Sequence, residues 1–139
     1  MATKKSDKRQ QCSGFIKNSE EIDPTECLVK GCVPTWLNGD VVRIGPGEFD
    51  IGPDTFDHWF DGHAILHRFS IANGKVVYNS KFQKSKTYQK NHEHSRIVIG
   101  EFATASRPDP CKNIFQRFAT KFTQSKPESD NANVNIAKL

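Results

Sequence analysis

The runs AILHRFSI (64–71) and KVVYNSKF (75–82) alternate apolar and polar residues on either side of Ala72-Asn73-Gly74. A period of two marks half-buried strands, and Asn-Gly between two such runs is the strongest short-range hairpin signal. This hairpin at mid-chain sets a β-rich texture. VVRI (41–44) reads as a further strand after an Asn38-Gly39 turn, RIVIGEF (96–102) as a fourth and NVNIAKL (133–139) as a fifth. Two pieces look helical. One is a polar turn around Thr87–His94. The other opens at Asp109-Pro110, an N-cap followed by proline at the first helical position, and continues through IFQRFATKF. Residues 1–20 read as a disordered tail rich in Lys, Ser and Gln, and 123–133 (TQSKPESDNAN) as a second polar loop. NVNIAKL stops where a strand would continue, so the expectation is an incomplete sheet with an exposed edge.

With 139 residues the chain suits one domain. Apolar residues, glycine included, are about 40%, below the 45–50% usual for a self-sufficient domain, and the mean hydropathy is -0.65. The expected core is thin. Net charge is +4, but Lys4, Lys5, Lys8 and Arg9 against Asp7 place most of it in the first ten residues. A basic tip on a neutral body argues for a solvated tail and against a nucleic-acid partner. Nothing after the polar start MATKKSDKRQQ resembles the apolar region of a signal peptide, and no run reaches the ~18 apolar residues of a membrane span. Cys12, Cys27, Cys32 and Cys111 are therefore expected as reduced thiols in a cytoplasmic setting. A mitochondrial address stays open, with Asp7 and the lack of an amphipathic pattern against it.

Five histidines invite a metal reading. Cys27-x4-Cys32 followed by His63-x3-His67 imitates a zinc pattern, yet about 30 residues part the pairs where a finger has about 12. On one strand His63 and His67 would stand ~13 Å apart, too far to share an ion. His92-Glu93-His94 lacks the HExxH spacing that puts two ligands on one helix face, and reads as solvent-exposed. No metal ligand and no catalytic set is assigned. Gly45-Pro46-Gly47, after the strand at Arg43-Ile44, reads as a tight turn and not as a phosphate loop.

Taken together, PTWLNGDVVRIGPGEF, HWFDGHAILHRFSI, SRIVIGEF and RPDPCKNIF resemble the carotenoid oxygenase family, which includes the animal carotenoid cleavage enzymes and the retinoid isomerase of the visual cycle. The match covers roughly residues 20–122. It implies an all-β fold with short helices: residues 21–139 would be the N-terminal part of a seven-bladed β-propeller. Repeats of roughly 40–50 residues would allow at most about three blades here. It also implies Fe(II) held by four histidines, the first beyond residue 139, and cleavage of a polyene double bond with dioxygen, or isomerisation in one branch. This stretch alone would then lack the chemistry. His58 and His67 would belong to the blade framework. The alternative from another class is a naturally short, non-catalytic product that keeps a membrane-docking or interaction surface.

The resemblance places Phe102 near the substrate face as a tunnel residue; a plain core aromatic is the competing reading. Ala103 stands where the family usually has Gly, which puts the loop geometry there in question. From Ile114, 100° per residue sets Ile114, Phe115, Phe118 and Phe122 within roughly 100°, with Lys112, Arg117 and Lys121 off that arc. Such a stripe suits a helix lying on an anionic membrane, and Cys111 at its start is an acylation candidate. The expected partners are a carotenoid or retinoid substrate and a membrane surface in peripheral contact.

Overall fold

The computed structural model describes residues 18–107 and 129–136. In chain order these form β1 (Ile22–Glu26), β2 (Gly39–Glu48), β3 (Asp50–Ile51), β4 (Asp54–Thr55), a 3₁₀ turn (Trp59–Asp61), β5 (His63–Ala72), β6 (Lys75–Phe82) and helix α1 (Lys86–Glu93). Four strands make one antiparallel sheet in the order β1-β6-β5-β2, and β3 and β4 make a small ribbon. The fold is all-β with one short helix among the described residues. A four-stranded antiparallel sheet is the unit that propellers repeat.

The β5–β6 hairpin closes as its sequence requires. Ala72 pairs with Lys75, and the two loop residues, Asn73 and Gly74, have φ of 52° and 76°. That is the geometry of a type I′ turn, which Asn-Gly adopts with least strain and which matches the twist of the flanking strands. Helix α1 begins at Ser85, whose hydroxyl accepts from the Tyr88 N–H. The Asp130 carboxylate accepts from Lys86 N and Thr87 N, 2.8 Å each. Burial raises its pKa, but these bonds outweigh burial and bring it to about 2.

Three expectations are corrected. Gly45-Pro46-Gly47 is no tight turn. It lies inside β2, neither glycine has positive φ, and pairing with β5 slips only between Pro46 and Glu48. β2 is at the sheet edge, where a proline without an N–H is tolerated. Gly47 is needed for close approach: a Cβ there would lie 2.9 Å from Ile65 Cβ and nearer still to Ile65 Cγ2. Second, residues 96–102 form no strand. Their alternation is real, since Ile97 and Ile99 are buried, but the backbone N–H groups bond to side chains: Ile97 to Asp54, Val98 and Ile99 to Asn91. Third, 133–136 is irregular, with Asn133 donating from its amide to Phe60 O and Gly62 O.

Strand β1 had no alternating signal: all five residues of IDPTE are exposed. It is held at the sheet edge by Cys27 N to Val76 O and by Ser80 Oγ, which accepts from Ile22 N and donates to Glu20 O. Asn18 Oδ1 accepts from Phe49 N and Asp50 N, and the Ser19 N–H and Glu20 C=O bond to Gly47 and Ser80, so residues 18–20 lie hydrogen-bonded along the sheet without forming a strand. Among the described residues, buried apolar side chains are few: Ile51, Phe56, Ala64, Ile65, Ile97 and Ile99. Asp61, His63, Ser80, Thr87, Asn91, Thr104 and Asn133 are buried with them. Hydrogen bonds therefore carry as much of the interior as apolar packing does.

Gly47→Ala is expected to lower stability by about 1–3 kcal/mol, because Ile65 belongs to a strand paired on both sides and has little room to retreat. Urea denaturation reads this directly, and unchanged stability would show that the β2–β5 approach is looser than described.

Candidate functional site

The segment after β4 turns sharply and presents aromatic rings. His58 Nδ1 accepts from Phe60 N at 3.1 Å and starts the 3₁₀ turn. Within that turn Trp59 stacks on Phe49, ring centroids 4.5 Å apart. Asp61, at its end, is fully buried and reaches across to the loop after residue 100. Its Oδ2 accepts from Thr104 Oγ1 at 2.6 Å and from Ala103 N at 3.1 Å. Thr104 Oγ1 in turn accepts from Asp57 N at 2.8 Å, while Arg107 clasps the Asp57 carboxylate. From the other side Asn131 accepts from Ala64 N and donates to Gly62 O.

This frame sets Phe102 beside His58 in an edge-on contact of 5.8 Å, with His58 5.3 Å from Phe60. Phe102 is 86% exposed and Phe60 62%. Among the described residues, then, Phe102 is not a core aromatic. The Ala103 substitution has a physical resolution too: the loop is anchored there through a backbone N–H, which alanine supplies as well as glycine.

Glu101 is half-buried behind this loop and accepts from Ser129 Oγ at 2.6 Å. Burial, and to a smaller extent the charges of Asp61 and Asp130, raise its pKa to about 7 against the opposing Ser129 bond.

A second polar cluster lies along β2, β5 and α1. Glu48 Oε2 is 2.9 Å from His63 Nδ1 and 2.8 Å from His92 Nε2. Burial raises the Glu48 pKa, but the bonds from His63 and then His92 prevail and leave it below its ordinary value. Asn91, next to His92 on α1, approaches the other His63 nitrogen, with Nδ2 3.1 Å from Nε2. The three ligand-type atoms of Glu48, His63 and His92 all lie within 4.8 Å of one another. Spacing missed this group: His92, expected to be merely solvated, is 40% exposed in its side chain yet bonded to Glu48. No signal within reach of a motif search links positions 48, 63 and 92. The hairpin and the helix after it bring them together.

His63 does part from His67, as strand geometry requires. His67 Nδ1 pairs with Tyr78 OH at 2.7 Å, and burial lowers its pKa. Cys27 and Cys32 are free thiols and join no histidine in the metal-capable group found among the described residues. Cys111, Ile114, Phe115, Phe118 and Phe122 lie outside the described residues. No described helix is long and apolar enough to cross a membrane.

The chain matches the retinal pigment epithelial membrane protein family over residues 15–139. It is 51% identical over 110 residues to a mitochondrial carotenoid-cleaving dioxygenase of Mustela putorius furo, covering 79% of this chain and 20% of that protein. It is 47% identical over 126 residues to the β,β-carotene 15,15′-dioxygenase of Gallus gallus, covering 89% and 24%. Among solved structures, cobalt-substituted Synechocystis ACO superposes with a TM-score of 0.61 at 26% identity, over 68% of this chain and 20% of that one. An ACO/RPE65 chimera gives 0.56 at 28%, over 70% and 20%. The chain thus spans about a fifth of the length of the first relatives it matches.

Because the Glu101 pKa rises from 4.5 to about 7 on folding, its charged form is the disfavoured one in the folded chain. Stability should fall as pH climbs through that window. Glu101→Gln stays uncharged, so its Tm is expected above that of the parent at pH 8 and level with it at pH 4.5. Parallel melting curves at both pH values would contradict the assignment.

Proposed function

The chain belongs to the retinal pigment epithelial membrane protein family, and from that premise we propose that it is the N-terminal portion of a non-haem Fe(II) oxygenase that cleaves a polyene double bond with dioxygen. Its similarity to a carotenoid-cleaving dioxygenase and to a β,β-carotene 15,15′-dioxygenase supports a carotenoid substrate. The observation in this chain that carries the reading is the exposed ring face of Phe102, Phe60 and His58, fixed from behind by Asp61 and Thr104. A conjugated polyene is flat, apolar and polarisable, and aromatic edges and faces are the side chains that grip such a ligand. Their rigid anchoring suits orientation more than mere partition, since a tunnel wall must hold one double bond in register with the reacting oxygen.

The iron, supplying dioxygen activation when bound, would be held by histidines past residue 139. The aromatic stripe of Ile114, Phe115, Phe118 and Phe122, with Cys111 at its start, would meet the membrane in which such substrates dissolve. A cytoplasmic, peripheral setting fits that arrangement; the name of the Mustela relative also supports a mitochondrial one.

The transcript past codon 139 tests the reading first. A continuing frame with histidines in further blades is expected; a stop there with a detectable 15.7 kDa product would favour the short, non-catalytic alternative. In the continuous protein, Phe102→Ala should raise KM for a carotenoid roughly 2- to 10-fold, the worth of one aromatic contact. An unchanged KM would remove Phe102 from the substrate face.

A further inference from the structure

Glu48, His63 and His92 come from three different elements, and two imidazoles meet a single carboxylate oxygen. Two histidines and one glutamate are the donor set of several catalytic zinc sites, which leave a fourth position open. Whether such a set can take a metal depends on where the His63 ring proton sits, and Asn91 decides that. Its Oδ1 accepts from Val98 N at 2.9 Å and from Ile99 N at 3.2 Å, which fixes the orientation of the amide. The NH₂ end therefore faces His63 Nε2 at 3.1 Å. An amide NH₂ only donates, so Nε2 must be the accepting nitrogen. The ring proton is then on Nδ1, where it donates to Glu48 Oε2.

A metal at Nδ1 would move that proton to Nε2 and set it against the Asn91 hydrogens. Both residues are fully buried, so solvent cannot relieve the conflict. Metal-ligating histidines normally donate their second N–H to a carboxylate or carbonyl; Asn91 presents the opposite polarity. We propose that Asn91 is a tautomer lock, which keeps His63 in its Nδ1–H form and makes Glu48–His63–His92 a hydrogen-bonded clasp closed to divalent transition metals. The clasp ties β2, β5 and α1 together. Among the described residues, Glu48, His63 and His92 are the group whose donor atoms lie close enough to hold an ion, and the clasp closes it. The inference stands on the hydrogen-bond geometry and does not depend on the proposed reaction.

One atom separates the closed site from an open one. Asn91→Asp keeps the acceptor for Val98 and Ile99 and turns the NH₂ into an oxygen that accepts Nε2–H. The His63 Nδ1 lone pair would then face Glu48 and His92 as a metal donor. The test uses the 139-residue chain with ¹⁵N-labelled histidine if its amide spectrum is dispersed as a folded domain's is, and the continuous protein otherwise. For the parent, the imidazole ¹⁵N spectrum should show His63 protonated at Nδ1 and bare at Nε2, with no change on adding equimolar Zn²⁺. Asn91→Asp should bind Zn²⁺ at least 10-fold more tightly than the parent in competition with a chromophoric chelator, a factor typical of second-layer partners. Glu48→Gln added to it should abolish the gain. The proposal is overturned if parent His63 is the Nε2–H form or averages like a solvated ring. Stoichiometric Zn²⁺ on the parent with shifts at His63 would overturn it too, as would an Asn91→Asp chain that folds without gaining affinity. If that variant does not fold, the parent spectrum decides alone.

Discussion

Residues 96–107 have no strand partner, yet they bury Ile97, Ile99 and Thr104, and the packing around them depends on how their backbone N–H groups are satisfied. A buried amide left unpaired costs roughly 1–3 kcal/mol, and several would consume much of the 5–15 kcal/mol that keeps a domain folded. Three side chains from earlier elements resolve this. Asp54 takes Ile97 N, Asn91 takes Val98 N and Ile99 N, and Asp61 takes Ala103 N. With those bonds made, Ile97 turns inward against Ile51 and Phe56, and Phe102 turns outward beside His58. Inside and outside on this segment are set by polar anchors.

That explains what was legible in the sequence and what was not. The Asn73-Gly74 hairpin and the Ser85-capped helix are written in local chemistry: φ-permissive residues and a hydroxyl at the first turn. Both stand where the pattern placed them. The period-two pattern of RIVIGEF correctly marks Ile97 and Ile99 as buried, but periodicity reports burial and not pairing; only tertiary acceptors distinguish a strand from an anchored loop. β1 failed for the opposite reason. IDPTE buries nothing and exists as a strand because β6 offers an edge. Gly45-Pro46-Gly47 carries turn residues, yet Pro46 is tolerated because β2 is at the edge, and Gly47 is required by Ile65 across the pair.

The site shows the same division. The family resemblance singled out Phe102, but the loop that carries it is anchored by Asp61, through Ala103 N and Thr104 Oγ1. Counting spacings between histidines gave no group, because His63 and His92 converge through the fold. The amide of Asn91 faces one nitrogen of His63 and the Glu48 carboxylate the other, so the cluster joins β2, β5 and α1.

Side-chain acceptors do for Ile97, Val98, Ile99 and Ala103 what a neighbouring strand does elsewhere, and amide hydrogen exchange tests this most directly. The Val98, Ile99 and Ala103 amides should exchange as slowly as those of β5 at the centre of the sheet, although they lie in no regular element. Exchange at those three positions as fast as in the exposed Asn73-Gly74 turn would contradict the account.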